Sequence, residues 1–161
     1  MRKLTEPAMK GSFRLRKMEA PDLEAVMAIE SVAHPHHWST ELMRRELGHD
    51  WSTILLCEEL DAAGKARLLG FLIFWLVHDE LHVLNLATSP TERRRGVGRT
   101  LLEAAIERGR QHRCTLATLE VRRSNDPAIA LYKMYGFRAV GIRPNYYVDE
   151  GEDAIIMNAD L

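Results

Sequence analysis

The chain has 161 residues, 46% hydrophobic and 28% charged, which is enough for one folded domain with a sizeable core and excludes a disordered chain. Its formal net charge of −1 excludes a dedicated nucleic-acid binder that needs a strongly basic face. The two cysteines, Cys57 and Cys114, lie far apart and form no C-x-x-C, so they provide neither a disulfide framework nor a metal motif and fit a reduced, cytoplasmic protein.

Arg2, Lys3 and Lys10 are not followed by an apolar core, so no targeting segment is expected. The longest apolar run, Phe71 to Val77, is far too short to span a bilayer, and no membrane association is expected. Residues 1–11 are polar and contain a proline, and they read as a loose tail before a folded domain over 12–161. Ser12 to Arg16 alternates as a short strand with Phe13 and Leu15 on one face. Ala20-Pro21-Asp22 opens a helix whose apolar stripe is Leu23, Val26 and Met27, with Ile29 and Val32 beside it. Glu30 falls on that stripe and is expected at its edge, the alternative being a functional cleft, because carboxylates are seldom fully buried.

His34-Pro35-His36-His37-Trp38 breaks the helix, and Ser39 is placed as the N-cap of a second helix through Leu47. The three histidines lack a carboxylate or cysteine at ligand spacing, so a polar or substrate-side loop is favoured over a metal site. Thr53–Glu58, Leu68–Val77 and Glu80–Thr88 read as strands joined by turns at Asp61–Lys65 and His78-Asp79, an antiparallel meander. From Arg99 the period becomes helical, with Leu101/Ala105 and Leu102/Ile106 paired at i, i+4. Thr115–Val121 then completes a βαβ crossover, whose two strands should run parallel.

Asn125-Asp126-Pro127 starts a last helix carrying Ala128, Leu131, Tyr132 and Tyr135, and Gly136 ends it as a C′ glycine. Two more strands, Phe137–Ile142 and Ala154–Met157, close the chain, with Tyr146-Tyr147 and the acidic Asp149–Asp153 in their connection. The fold expected is a single-domain α/β arrangement with a mixed sheet.

The stretch between strand and helix, Asn85 to Arg99, carries the clearest chemistry. Arg93-Arg94-Arg95-Gly96-Val97-Gly98 fits R/Q-x-x-G-x-G/A. No Lys-Ser/Thr follows Gly98, so it is not a Walker A loop, and one pair of glycines does not make a dinucleotide fingerprint. A glycine turn running into a helix N-terminus presents backbone N–H groups and the positive end of the dipole to an anion. Gly96 and Gly98 allow close approach of a pyrophosphate.

This turn, in this order of elements, resembles the GNAT acetyltransferases. The resemblance implies a fold whose central parallel strands splay beside acetyl-CoA. It implies that Leu86, Ala87 and Thr88 pair with the pantetheine, and that backbone groups of Arg94, Arg95, Gly96, Val97, Gly98 and Arg99 hold the pyrophosphate, with the arginine side chains able to meet phosphates as well. Glu120-Val121-Arg122-Arg123-Ser124-Asn125, Ala130-Leu131-Tyr132, Arg143-Pro144-Asn145-Tyr146-Tyr147, Glu152-Asp153-Ala154 and Trp38-Ser39 further resemble the bacterial ribosomal-protein-alanine N-acetyltransferases. His37 stands where that group usually has proline. The likeness implies direct acetyl transfer in a ternary complex to the N-terminal alanine of a small-subunit ribosomal protein.

It also implies Glu120 as the base for the amine, Tyr132 as the acid for the CoA thiolate, and Asn125 and Tyr132 as cofactor contacts. An α-amine, with a pKa of about 7.7–8.0, needs only modest help to lose its proton, which a carboxylate can supply. Outside catalysis, Glu120 would be an exposed or ion-paired acid, Tyr132 a packing residue and Asn125 a helix cap. Glu30, Trp38, Tyr146 and Tyr147 are the candidates for the acceptor cleft. Transfer to a lysine side chain or small amine is the enzymatic alternative, and a non-catalytic acyl-CoA-binding regulator the alternative of another class.

Overall fold

A computed structural model describes residues 7–161. Its strands are β1 (Ala8–Lys10), β2 (Phe13–Lys17), β3 (Ser52–Leu60), β4 (Ala66–Val77), β5 (Glu80–Thr88), β6 (Leu116–Arg122), β7 (Arg138–Tyr147) and β8 (Glu152–Asp160). The helices are α1 (Leu23–Ala33), α2 (Thr40–Leu47), α3 (Val97–Gln111) and α4 (Asp126–Met134). The strands form one mixed sheet in the order β1-β2-β3-β4-β5-β6-β8-β7. The chain divides into two compact units, one running up to Phe74 and adding Asn85–Ala105, the other made of Trp75–Leu84 and Ile106–Leu161.

In the first unit, β3 and β4 bury long apolar runs, as strands covered on both faces do. Val26, Met43, Leu56, Phe71 and Phe74 are almost wholly buried with Leu101 and Leu102 of α3. Val32, expected beside the apolar stripe of α1, is instead exposed. Ser39 caps α2 by accepting from the Leu42 N–H at 3.0 Å. Asp61 Oδ1 accepts from the N–H groups of Ala63 and Lys65, closing the hairpin with Gly64 at φ +81°. Arg14 faces Glu58 across the β2–β3 ladder, and Arg16 joins that buried carboxylate to Asp22. The Arg16 guanidinium holds Asp22 below the usual carboxylate range.

The loose tail expected over residues 1–11 needs a correction. Ala8–Lys10 pairs with Phe13–Leu15 of β2, and Gly11 at φ +62° makes the reversal. The remaining tail residues, 1–6, lie outside the described residues.

In the second unit, β5 and β6 run parallel through Glu80–Val83 and Leu116–Leu119, the expected βαβ pairing. The ladder ends there, although β5 continues to Thr88 and β6 to Arg122. β6 alternates along its length, burying Ala117, Leu119 and Val121 and leaving Glu120 half-buried on the other face. Asn125 caps α4 by accepting from Ala128 N–H. The helix ends in a Schellman motif: Gly136 N–H donates to Lys133 O, Phe137 N–H donates to Tyr132 O, and Gly136 stands at φ +85°. The Phe137 and Tyr132 rings meet 5.7 Å apart, the apolar contact that accompanies this motif.

Candidate active site

The strand–turn–helix cradle lies in the first unit. Ser89 N–H donates to Leu69 O, and a short 3₁₀ turn over Pro90–Glu92 carries the chain off β5. Arg94 at φ +65° and Gly96 at φ +84° then curl the backbone into α3. Successive N–H groups in such a turn make a concave anion receptor. The first N–H groups of α3 add to it, since helix geometry leaves them without an internal acceptor. Gly96 O accepts from both the N–H and the hydroxyl of Thr100, which fixes the first helical turn. Val97 is buried and anchors the helix start.

The three arginines are not equivalent. Arg95 bonds Glu92 and Glu59, with its guanidinium 5.5 Å from the centre of the Phe13 ring. Arg67 bonds the same two carboxylates. Arg95 first, then Arg67, holds Glu92 below the usual carboxylate range. The Arg95 side chain therefore braces the turn from behind, which leaves its backbone as the part available to a phosphate.

Gly70 supports the cradle from β4. A Cβ there would lie 2.7 Å from the Ala87 carbonyl oxygen and 2.9 Å from Val97 Cγ1, and a backbone carbonyl cannot yield as a side chain can. Gly70→Ala is expected to cost about 1–3 kcal/mol, read as a lowered denaturant midpoint. An unchanged midpoint would contradict this packing.

Glu30 departs most from expectation. It is wholly buried rather than at the edge of the stripe. Its Oε1 accepts from Asn85 Nδ2 at 2.8 Å, and its Oε2 accepts from Trp38 N–H at 2.8 Å. Both oxygens serve internal donors, so Glu30 does not present a carboxylate to an acceptor peptide. Trp38 is half-buried on the loop that Glu30 holds. His34 bonds Asn85, and His37 Nδ1 lies 3.0 Å from Trp38 O. Among the described residues, no group of three or more His, Cys, Asp and Glu is placed to hold a metal ion. No helix among them is long and apolar enough to cross a membrane.

The second unit assembles a different cluster. Glu120 Oε1 lies 2.9 Å from Arg143 Nε, and the carboxylate accepts from the Tyr146 hydroxyl. That hydrogen bond, followed by burial, raises the Tyr146 phenol above its ordinary range. Arg143 sits 5.7 Å from the Tyr146 ring centre, and Arg122 stacks 3.8 Å from that of Tyr147. Tyr146 and Tyr147 meet edge to face at 5.2 Å. They belong to β7 itself, which corrects their assignment to the connection. The β7–β8 register is irregular between Arg143 and Tyr147, where Asn145 adopts φ +51°. Such an irregularity re-aims the side chains that follow it.

Tyr132 is buried, and burial pushes its phenol above the ordinary range. Arg143, Asn85 and His34 are not among the site residues that the sequence suggests. Arg143 stood in the Arg-Pro-Asn-Tyr-Tyr block, but no sequence feature paired it with Glu120.

The Acetyltransferase (GNAT) family matches residues 23–137, and the chain belongs to that family. The ribosomal protein bS18-alanine N-acetyltransferase of Escherichia coli (strain K12) is 37% identical over 145 residues, covering 89% of this chain and 94% of its own. The same-named protein of Salmonella typhimurium (strain LT2) is also 37% identical, over 142 residues, covering 87% and 92%. The crystal structure of the ribosomal-protein-S18-alanine N-acetyltransferase from Escherichia coli superposes with a TM-score of 0.81 at 34% identity, covering 92% of this chain and 93% of that one.

Proposed function

We propose that this acetyltransferase moves the acetyl group of acetyl-CoA to the α-amine of a protein N-terminus, an alanine of a small-subunit ribosomal protein being the acceptor that best fits. The observation that carries this is a likeness along nearly the whole chain, at 34–37% identity, to enzymes named for that substrate. The cradle supports the cosubstrate: backbone N–H groups over 94–99 receive the pyrophosphate, and Leu86–Thr88 continue β5 beyond its last β6 partner, as pairing with a pantetheine requires. A ribosomal acceptor places the reaction in the cytoplasm.

Direct transfer needs three steps. Glu120 takes a proton from the α-ammonium, and the amine nitrogen attacks the thioester carbonyl carbon to form the C–N bond. The tetrahedral adduct collapses with cleavage of the C–S bond. Tyr132 gives its phenolic proton to the departing thiolate, a role suited to a group that keeps its proton at neutral pH; the second proton, still on the acetylated nitrogen, is lost as the amide forms and restores the phenol, and Glu120 releases the first to solvent. Asn125 caps α4 and so holds Tyr132's helix, and contact with the cofactor is compatible with that role. Tyr146 and Tyr147 provide an aromatic wall beside Glu120 for the first acceptor residues.

The test is release of free thiol from acetyl-CoA with short peptides beginning in alanine. Efficient turnover with the α-amine free, and none with it blocked, is the expected result. A preference for lysine side chains, or CoA binding without transfer to any amine, would overturn the reading.

A further inference from the structure

The cluster around Glu30 joins two parts of the first unit that are distant in sequence. Glu30 lies in α1, Trp38 in the loop after it, and Asn85 in β5 immediately before Leu86. A carboxylate with no exposed surface carries a large desolvation cost, and apolar side chains would hold the same elements together at lower cost. What the carboxylate adds is direction. Its two oxygens fix the Trp38 backbone and the Asn85 amide at hydrogen-bond angles, whereas apolar contact tolerates sliding.

The polarity of the cluster follows from its donors. Both Glu30 oxygens accept, so Asn85 turns Nδ2 towards one of them and Oδ1 towards His34 at 2.8 Å. His34 Nε2 must then carry the hydrogen. The chain Trp38 N–H to Glu30, Asn85 Nδ2–H to Glu30, and His34 Nε2–H to Asn85 leaves no mismatched pair. It attaches both ends of the loop over residues 34–38 to a residue of the strand that meets the cofactor.

We infer that Glu30 and Asn85, with His34, are positioning residues that lock the loop after α1 to the cofactor-pairing end of β5 and thereby set where the acceptor's α-amine is presented. The inference rests on the acceptor reading above. Glu30 acts here through Trp38 and Asn85, and neither it nor Asn85 is a catalytic residue.

Exchange of the two polar groups tests it in the intact protein. Asn85→Asp sets two carboxylates against each other. Glu30→Gln/Asn85→Asp restores every pair: the glutamine accepts from Trp38 N–H and donates to the new carboxylate on β5, which accepts from His34. Asn85→Asp is expected to raise the KM for an alanine peptide about tenfold, with acetyl-CoA affinity changed by less than about twofold. The double variant should return the peptide KM to within about threefold of wild type. Glu30→Gln alone is accommodated only if the Asn85 amide turns over, which makes His34 an acceptor at Nε2. Nitrogen-15 spectra of the imidazole should therefore show the Nδ1–H tautomer in that variant and protonated Nε2 in wild type.

If Asn85→Asp does not fold, the comparison is the double variant against wild type, where the same threefold recovery is expected. An unchanged peptide KM in Asn85→Asp, a double variant that folds but gains no acceptor affinity, or an unaltered His34 tautomer in Glu30→Gln overturns the lock. A wild type that acetylates no peptide N-terminus overturns the acceptor reading instead, so the two failures are distinguishable.

Discussion

Glu120→Gln is expected to lower kcat about 10²–10⁴-fold at pH 7 while leaving acetyl-CoA affinity nearly unchanged. Glutamine keeps the size of the side chain and an oxygen for the Tyr146 hydroxyl, so the loss reports the missing base rather than a hole. The cradle residues over 86–99 are untouched. Removing the carboxylate also leaves Arg143 without its 2.9 Å partner, and Arg143→Gln separates that effect. The sign of the pH dependence is distinctive. An acceptor α-amine with a pKa of about 7.7–8.0 becomes free base unaided as pH rises, so the deficit should be largest below about pH 7 and should shrink above about pH 8. Steady-state thiol release from pH 6 to 9, with calorimetric acetyl-CoA binding, checks both parts. A glutamine variant with full activity throughout would remove Glu120 as the base and leave it as the ion-paired acid that the Arg143 contact also allows.

Tyr132→Phe should cost about 10²-fold in kcat with only a small change in thermal midpoint. The substitution keeps the ring that packs on Phe137 and the backbone carbonyl that closes the Schellman motif, and it removes only the hydroxyl. It therefore separates the two roles that the sequence left open. Burial disfavours the phenolate and raises the folded-state pKa above the ordinary value near 10. The proton donor thus stays protonated through neutral and moderately alkaline pH, and no fall in kcat up to about pH 10 should trace to this group. The linked effect on stability is fully present below the unfolded pKa of about 10 and is lost as pH rises towards the higher folded value. Full kcat in the phenylalanine variant would leave Tyr132 as a packing residue alone.

Local signals carried the helix caps because their causes are local, whereas β7 runs five residues past the end expected for it. Ser39 and Asn125 each satisfy an orphan N–H within three residues, and Gly136 supplies the positive φ that ends its own helix. β1 leaves no mark in the sequence because three residues have too little pattern to define a strand. It exists through its ladder to β2. Glu30 was misplaced for a different reason: helical period fixes the face a residue shares but not which donors meet that face.

By itself, the sequence determined the order of the elements from β2 onward, the glycine turn ahead of α3, and the family that the turn and the blocks around Glu120 and Tyr146 identify. Those features depend on neighbours within a few residues, or on residue types that persist as motifs. Tertiary structure decided which charges are engaged. The strand order β6-β8-β7 puts Glu120 and Arg143 on strands with one strand between them, about 10 Å, which an arginine reaches across. Arg95 is committed to Glu59 and Glu92, although its sequence position resembles that of Arg94. Glu30 is committed to Asn85, 55 residues away, because α1 and β5 bring the two side chains to 2.8 Å. Hydrogen bonds and ion pairs act over a few ångströms of space, so the partner of a charged side chain is set by the fold and not by its place along the chain.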